Sequence, residues 1–161
     1  MSSLTTPAII LRRVEYGDFD LILSFYTLKK GKLSAIAKAA RKSKKRFGGI
    51  LELFTTLDIV CTLSRCNGLP FLQEAVLKNA FSEIRADIMR TAYASYWAEL
   101  IETSSEVGQQ QPELYHLLLF TLHRLDQKQT SPGALSVLFQ IRLLLVSGYR
   151  PDLRSCQDCC R

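Results

Sequence analysis

The hydrophobic side chains of this chain change their repeat once, near Ala80, and that switch admits a sheet-built unit followed by a helical one. Between Leu51 and Leu63 the odd positions carry Leu51, Leu53, Leu57, Ile59, Cys61 and Leu63, with Glu52, Thr56, Asp58 and Thr62 between them, which predicts a long strand with one buried face. Leu21 to Thr27 and Leu33 to Ala40 alternate in the same way, and Pro7 to Val14 and Phe71 to Leu77 complete a set of five strands. Turn residues separate them at Tyr16-Gly17-Asp18, Lys29-Lys30-Gly31-Lys32, Phe47-Gly48-Gly49 and Asn67-Gly68. Five short strands within residues 1–80 predict a small closed barrel.

From Phe81 the spacing is helical. Ile84, Ile88, Ala92, Tyr96 and Leu100 lie on one stripe, and Gly108 with Gln109-Gln110-Gln111 ends it. A second helix is predicted from Pro112 through Leu114, Leu117, Leu118, Leu122 and Leu125. A third opens with Ser131-Pro132 and runs through Leu135, Leu138, Phe139, Leu145 and Val146 to Gly148. The expected fold is α+β in that order, a barrel over 1–80 and an all-helical unit over 81–161. With 47% hydrophobic and 22% charged residues, the chain has the material for such cores. No apolar run reaches the roughly 18 residues of a membrane span, and five cysteines, an odd number, fit a reducing compartment. A cytosolic protein is expected.

Charge divides at the same place. Residues 1–80 hold 13 Lys and Arg against 6 Asp and Glu, whereas residues 81–161 hold 8 against 9, so the whole excess of the +6 chain lies in the first half. The excess is densest in Lys38-Ala39-Ala40-Arg41-Lys42-Ser43-Lys44-Lys45-Arg46, six cations in nine residues with no acidic neighbour in sequence. Such crowding is relieved by a polyanion: phosphates neutralise it and release condensed counterions. Nucleic acid is the first reading, beside a solvated loop and an anionic membrane surface. Arg12, Lys30 and Lys32 are expected to extend the phosphate track along one side of the barrel, with Tyr26 on an outward strand position and Phe47 beside the loop as candidate stacking surfaces.

Cys156-Gln157-Asp158-Cys159 has the spacing of half a Zn²⁺ site, since two thiolates can grip one ion through a tight turn but a structural site needs four ligands. Inert thiols and a redox dithiol are the other readings, although no thioredoxin-like context accompanies the pair. Cys61, on the buried parity of its strand, and Cys66, in a turn, read as structural or incidental. His116 and His123, seven apart, share a helix flank and read as ordinary helix-surface or packing residues. The chain has no GxxxxGK[ST], GxGxxG, GxSxG or HExxH pattern, and nothing supports catalysis.

Several stretches together resemble the RecO recombination mediators of bacterial DNA repair: Ala8-Ile9-Ile10-Leu11-Arg12-Arg13, then Tyr16-Gly17-Asp18-Phe19-Asp20, Gly31 to Lys38, the basic Arg41 to Arg46 run, and Gly148-Tyr149-Arg150-Pro151-Asp152-Leu153 ahead of Cys156 and Cys159. The resemblance implies an oligonucleotide-binding (OB) barrel followed by a helical domain with a zinc-binding insertion. It implies a nucleoid-associated, non-enzymatic protein that binds single- and double-stranded DNA and anneals complementary strands. It further implies contact with the tail of the single-strand-binding protein and, with RecR, loading of RecA onto coated DNA. Ala39 and Cys160 stand where the family has Gly, and relative to the family's second cysteine pair and further helices the chain reads as truncated. The alternative reading is an interaction scaffold in which the helical half binds repair partners and the barrel anchors it.

Overall fold

Ala8-Ile9-Ile10-Leu11 sets four apolar side chains in succession on one strand, and that strand is buried on both faces. The computed structural model describes residues 3–43, 46–62 and 68–149. Its long first strand, β1 (Ser3–Tyr16), pairs antiparallel with β4 (Thr56–Thr62) through its first half and with β2 (Asp20–Thr27) through its second. β3 (Gly31–Ala37) pairs with β2, β5 (Phe71–Asn79) pairs with β4, and a short parallel contact at Ile36 and Phe71 closes the barrel in the order β1-β2-β3-β5-β4. Ala8, Ile10, Leu23, Phe25, Ala35, Leu57, Ile59 and Cys61 point inward and fill it.

Four helices follow: α1 (Ser82–Arg85), α2 (Ile88–Ser104), α3 (Pro112–Asp126) and α4 (Pro132–Val146). Pro112 and Pro132 each occupy the first turn of a helix, and the Ser131 hydroxyl accepts from the Ala134 amide at 3.3 Å. The helices pack on the outside of the barrel through one continuous core. Ile9, Leu11, Tyr26 and Phe54 from the barrel side join Ile84, Trp97, Ile101, Leu118, Leu122 and Phe139. The barrel interior is drawn wholly from residues before Ala80, whereas the helical core also takes in side chains from the barrel's outer face. A polar seam accompanies the apolar one: Val107 bridges to Lys32, the Gly108 amide donates to the Lys32 carbonyl at 3.2 Å, and the Lys32 ammonium donates to the Glu102 carbonyl at 2.7 Å.

Three sequence expectations are corrected. The strand predicted from Leu51 begins only at Thr56; residues 51–55 form a turn that passes Leu51 into the barrel core and Phe54, at φ +67°, into the helical one. Alternation there reflects two cores, one on each side of a bend. β3 ends at Ala37 because Ala39 turns the chain at φ +52°. The first predicted helix is broken at Asp87, whose carboxylate accepts from the Met89 and Arg90 amides and caps α2. Its predicted stripe is not the buried one: Ile88 is 84% exposed and Tyr96 42%, while Ala94, Trp97, Ala98 and Ile101 face the core. α2 is apolar on several sides, so spacing alone does not select a face; the largest ring, Trp97, does, stacking on Phe139 at 5.4 Å and donating to the Ser136 hydroxyl at 3.2 Å.

Candidate nucleic-acid interface

The described part of the basic segment, residues 38–43 and 46, caps one end of the barrel. Amides of Lys42 and Ser43 donate to the Ala39 carbonyl, the Phe47 amide donates to that of Ser43, and Phe47 and Leu51 close the barrel mouth from inside. The cap is tied to the β1–β2 turn by the Arg41 amide on the Phe19 carbonyl at 3.1 Å and by the Ala39 amide on the Asp20 carboxylate at 2.7 Å. With these apolar anchors buried, Lys38, Arg41, Lys42 and Arg46 stand exposed at the surface.

Their partners differ from the expectation that acids would be absent. Arg41 pairs with Glu15 at 3.2 Å. Arg13, which the sequence reading passed over, pairs with Glu52 at 3.3 Å and joins Arg41 in lining a cleft of about 250 Å³ at the barrel mouth. Lys38, Lys42 and Arg46 have no carboxylate within salt-bridge distance among the described residues. Each lies over an aromatic ring instead: Lys42 over Phe19 at 3.4 Å, Lys38 over Phe71 at 4.7 Å and Arg46 over Phe47 at 4.9 Å from the centroid. Arg46 also donates to the Lys38 carbonyl at 2.7 Å, which draws these two together. Lys44 and Lys45 fall outside the described residues.

The other predicted track residues are elsewhere. Lys30 precedes β3 and the basic loop follows it, so the length of that strand, about 20 Å at 3.3 Å per residue, lies between them. Lys32 is engaged with the end of α2. Arg12 and Arg13, adjacent on a strand, face opposite sides, and Arg12 lines a separate cleft with Ser95, Glu99 and Glu102 of α2. The expected single track reduces to the loop and Arg13.

Tyr26 and Phe47 are likewise unavailable for stacking, both buried to within 1%. Tyr26 does point out of the barrel, but the helices cover that face; its hydroxyl donates to the Gln111 carbonyl at 3.3 Å, and burial pushes the phenol above its ordinary range. The exposed rings at the basic end are Tyr16 and Phe19, 55% and 41% exposed, in a segment read only as a turn. Their signal was available: large aromatics beside Gly17 and Asp18, with no apolar neighbour in register to bury them.

Elsewhere, Cys61 is buried and its thiol is pushed up to about 11. The half-buried His123 ring sits edge-on to Phe81 at 4.8 Å, and that of His116, edge-on to Tyr115 at 5.5 Å, lies on the exposed side of α3. Among the described residues no group of His, Cys, Asp and Glu is placed to hold a metal, and no helix is long and apolar enough to cross a membrane. Cys66, Cys156 and Cys159 lie outside the described residues. Between α3 and α4 runs an apolar groove of about 330 Å³ lined by Leu117, Phe120, Leu135, Leu138 and Phe139, with Arg142 among its lining residues.

A five-stranded barrel in this strand order, flanked by helices and capped by a cationic β3–β4 loop, defines a barrel-and-helix protein of the oligonucleotide-binding type. The comparisons are specific. Residues 1–81 match the family described as recombination protein O N terminal, and residues 85–161 match recombination protein O C terminal; the chain belongs to this family. It is 47% identical over 162 residues to a protein named DNA repair protein RecO from Desulfatibacillum aliphaticivorans, covering 100% of this chain and 63% of that one. A protein of the same name from Desulfosudis oleivorans is 43% identical over 160 residues, covering 99% and 62%. One from Listeria monocytogenes is 34% identical over 151 residues, covering 94% and 58%. The chain spans about three-fifths of the length of these curated relatives.

Proposed function

We propose that the capped end of the barrel captures the sugar-phosphate backbone of single- and double-stranded DNA, and that the chain acts in DNA repair by holding complementary strands close enough to anneal. The observation that carries this reading is that Lys38, Lys42 and Arg46 rest on aromatic rings rather than on carboxylates. A ring quadrupole orients a cation without neutralising it, so an arriving phosphate adds an interaction instead of displacing one. Contact with phosphates is blind to base identity, and neutralised strands repel one another less, which favours pairing. No bond is made or broken.

The test is a titration of fluorescein-labelled oligo(dT) at several NaCl concentrations. About four phosphate contacts give a slope of log affinity against log salt near −3, at roughly 0.7 per contact on a single strand, and the pair Lys38→Gln with Lys42→Gln lowers its magnitude by about 1.4. A flat salt response overturns the proposal.

The α3–α4 groove favours a second role compatible with the first. Apolar walls with Arg142 among them fit an acidic peptide that also carries apolar side chains, and the RecO resemblance supplies an acidic one in the tail of the single-strand-binding protein. Leu138→Glu abolishes binding of such a labelled peptide and leaves oligo(dT) affinity unchanged if both roles hold. RecR, RecA and a Zn²⁺ ion on Cys156 and Cys159 belong to the same family-based proposal, the metal being checked by elemental analysis of the purified chain.

A further inference from the structure

We infer that the basic end of the barrel selects single strands over duplex, because its two ring-supported lysines hold open aromatic surfaces for unpaired bases; this rests on the DNA-binding reading above. Phe19 stands in the β1–β2 turn and Phe71 at the start of β5, on either side of the end of β3. Two strand spacings, about 10 Å, separate the chains that carry them. The basic loop leaves β3 between the two rings, so cations and rings alternate across the surface: Phe19 with Lys42, then Phe71 with Lys38.

A lysine ammonium occupies one face of each ring. Phe19 keeps 41% of its surface in solvent, and Phe71 lines an open cleft of about 270 Å³ with Lys38, Arg46 and Gln73. The Phe19 ring, exposed in a turn, gains little from folding, and the half-buried Phe71 ring borders its cleft, whereas a base stacked on either is held by its π-face whatever its identity. Base and phosphate alternate along a nucleic-acid strand as ring and ammonium do here. A duplex, whose bases are already stacked on one another, reaches only the cations.

The experiment measures affinity for oligo(dT) and for a duplex of equal length on the full chain carrying Phe19→Leu, Phe71→Leu or Lys42→Gln, with circular dichroism confirming the fold. Removing one stacking platform is expected to weaken single-strand binding roughly tenfold and to change duplex binding less than twofold. Phe71 is half-buried, so Phe19→Trp supplies an independent reading: its fluorescence is quenched by oligo(dT) and not by duplex, over the constant signal of buried Trp97. Equal losses for both nucleic acids in the Leu variants, or no quenching of Phe19→Trp while binding persists, overturns the inference. If Lys42→Gln weakens binding and the Leu variants do not, the stacking inference fails and the phosphate-capture reading stands; if none of the three alters binding, that reading fails as well.

Discussion

Ala39 shows how one residue can be read locally and still be misplaced. It continues the apolar alternation of β3 in the sequence, yet its backbone lies at φ +52°, where a side chain costs roughly 1–2 kcal/mol and glycine does not. Ala39→Gly is expected to raise stability by about 0.5–1 kcal/mol in urea unfolding, the strain relieved being partly offset by the greater freedom of glycine in the unfolded chain. Cys61 was legible in advance, because strand parity alone places it inside. Its thiol, pushed up to about 11 by burial, remains protonated in the folded protein while the unfolded chain ionises near 9. The raised value stabilises the fold below pH 9, and that contribution is lost as pH rises from 9 toward 11. Thermal melts should show a falling Tm over that window, less steep in Cys61→Ala, and peptide mapping after alkylation at pH 8 should find Cys61 unmodified in the native state.

Strands and helices were legible where their pattern meets a single core and obscured where two cores compete. α3 buries Leu114, Leu118, Leu122 and Leu125 as its spacing predicts. α4 buries Leu135 and Phe139 but leaves Leu138 and Leu145 exposed, because only one of its apolar sides meets α2 and α3. Lys32 belongs to this scale too. Composition groups it with the loop cations, while the structure uses it to satisfy the Glu102 carbonyl in the last turn of α2, where the helix dipole favours a positive charge. Lys32→Met is expected to cost about 1 kcal/mol of stability and to leave oligo(dT) affinity within twofold, whereas Lys42→Gln weakens DNA binding with little change in Tm. Fluorescence anisotropy and thermal melts on the two variants separate these roles.

Over the whole molecule, the barrel has an interior of its own around Ile10, Leu23, Phe25 and Ile59, while the core around Ile9, Leu11, Tyr26, Phe54 and Trp97 is shared, so the helices have no complete interior without the barrel. Unfolding in urea is accordingly expected to be one cooperative transition, with Trp97 fluorescence, which reports the helices, superimposing on far-ultraviolet circular dichroism, which reports both. Two separated transitions would show that the shared core is not what couples them. The order of strands then helices, the inward parity of Cys61, Leu57 and Ile59, the starts of α3 and α4 at Pro112 and Pro132, and the concentration of cations after β3 all follow from the sequence by itself, since each depends on neighbours within a few residues. Tertiary structure alone decided that Tyr26 is covered, that Arg13 and not Arg12 faces the loop, that Lys32 serves a helix end and that Phe19 meets Lys42. The physical reason is common to all four: which side of a strand or turn faces solvent is settled by what packs on it from far along the chain, and charge and parity carry no record of that partner.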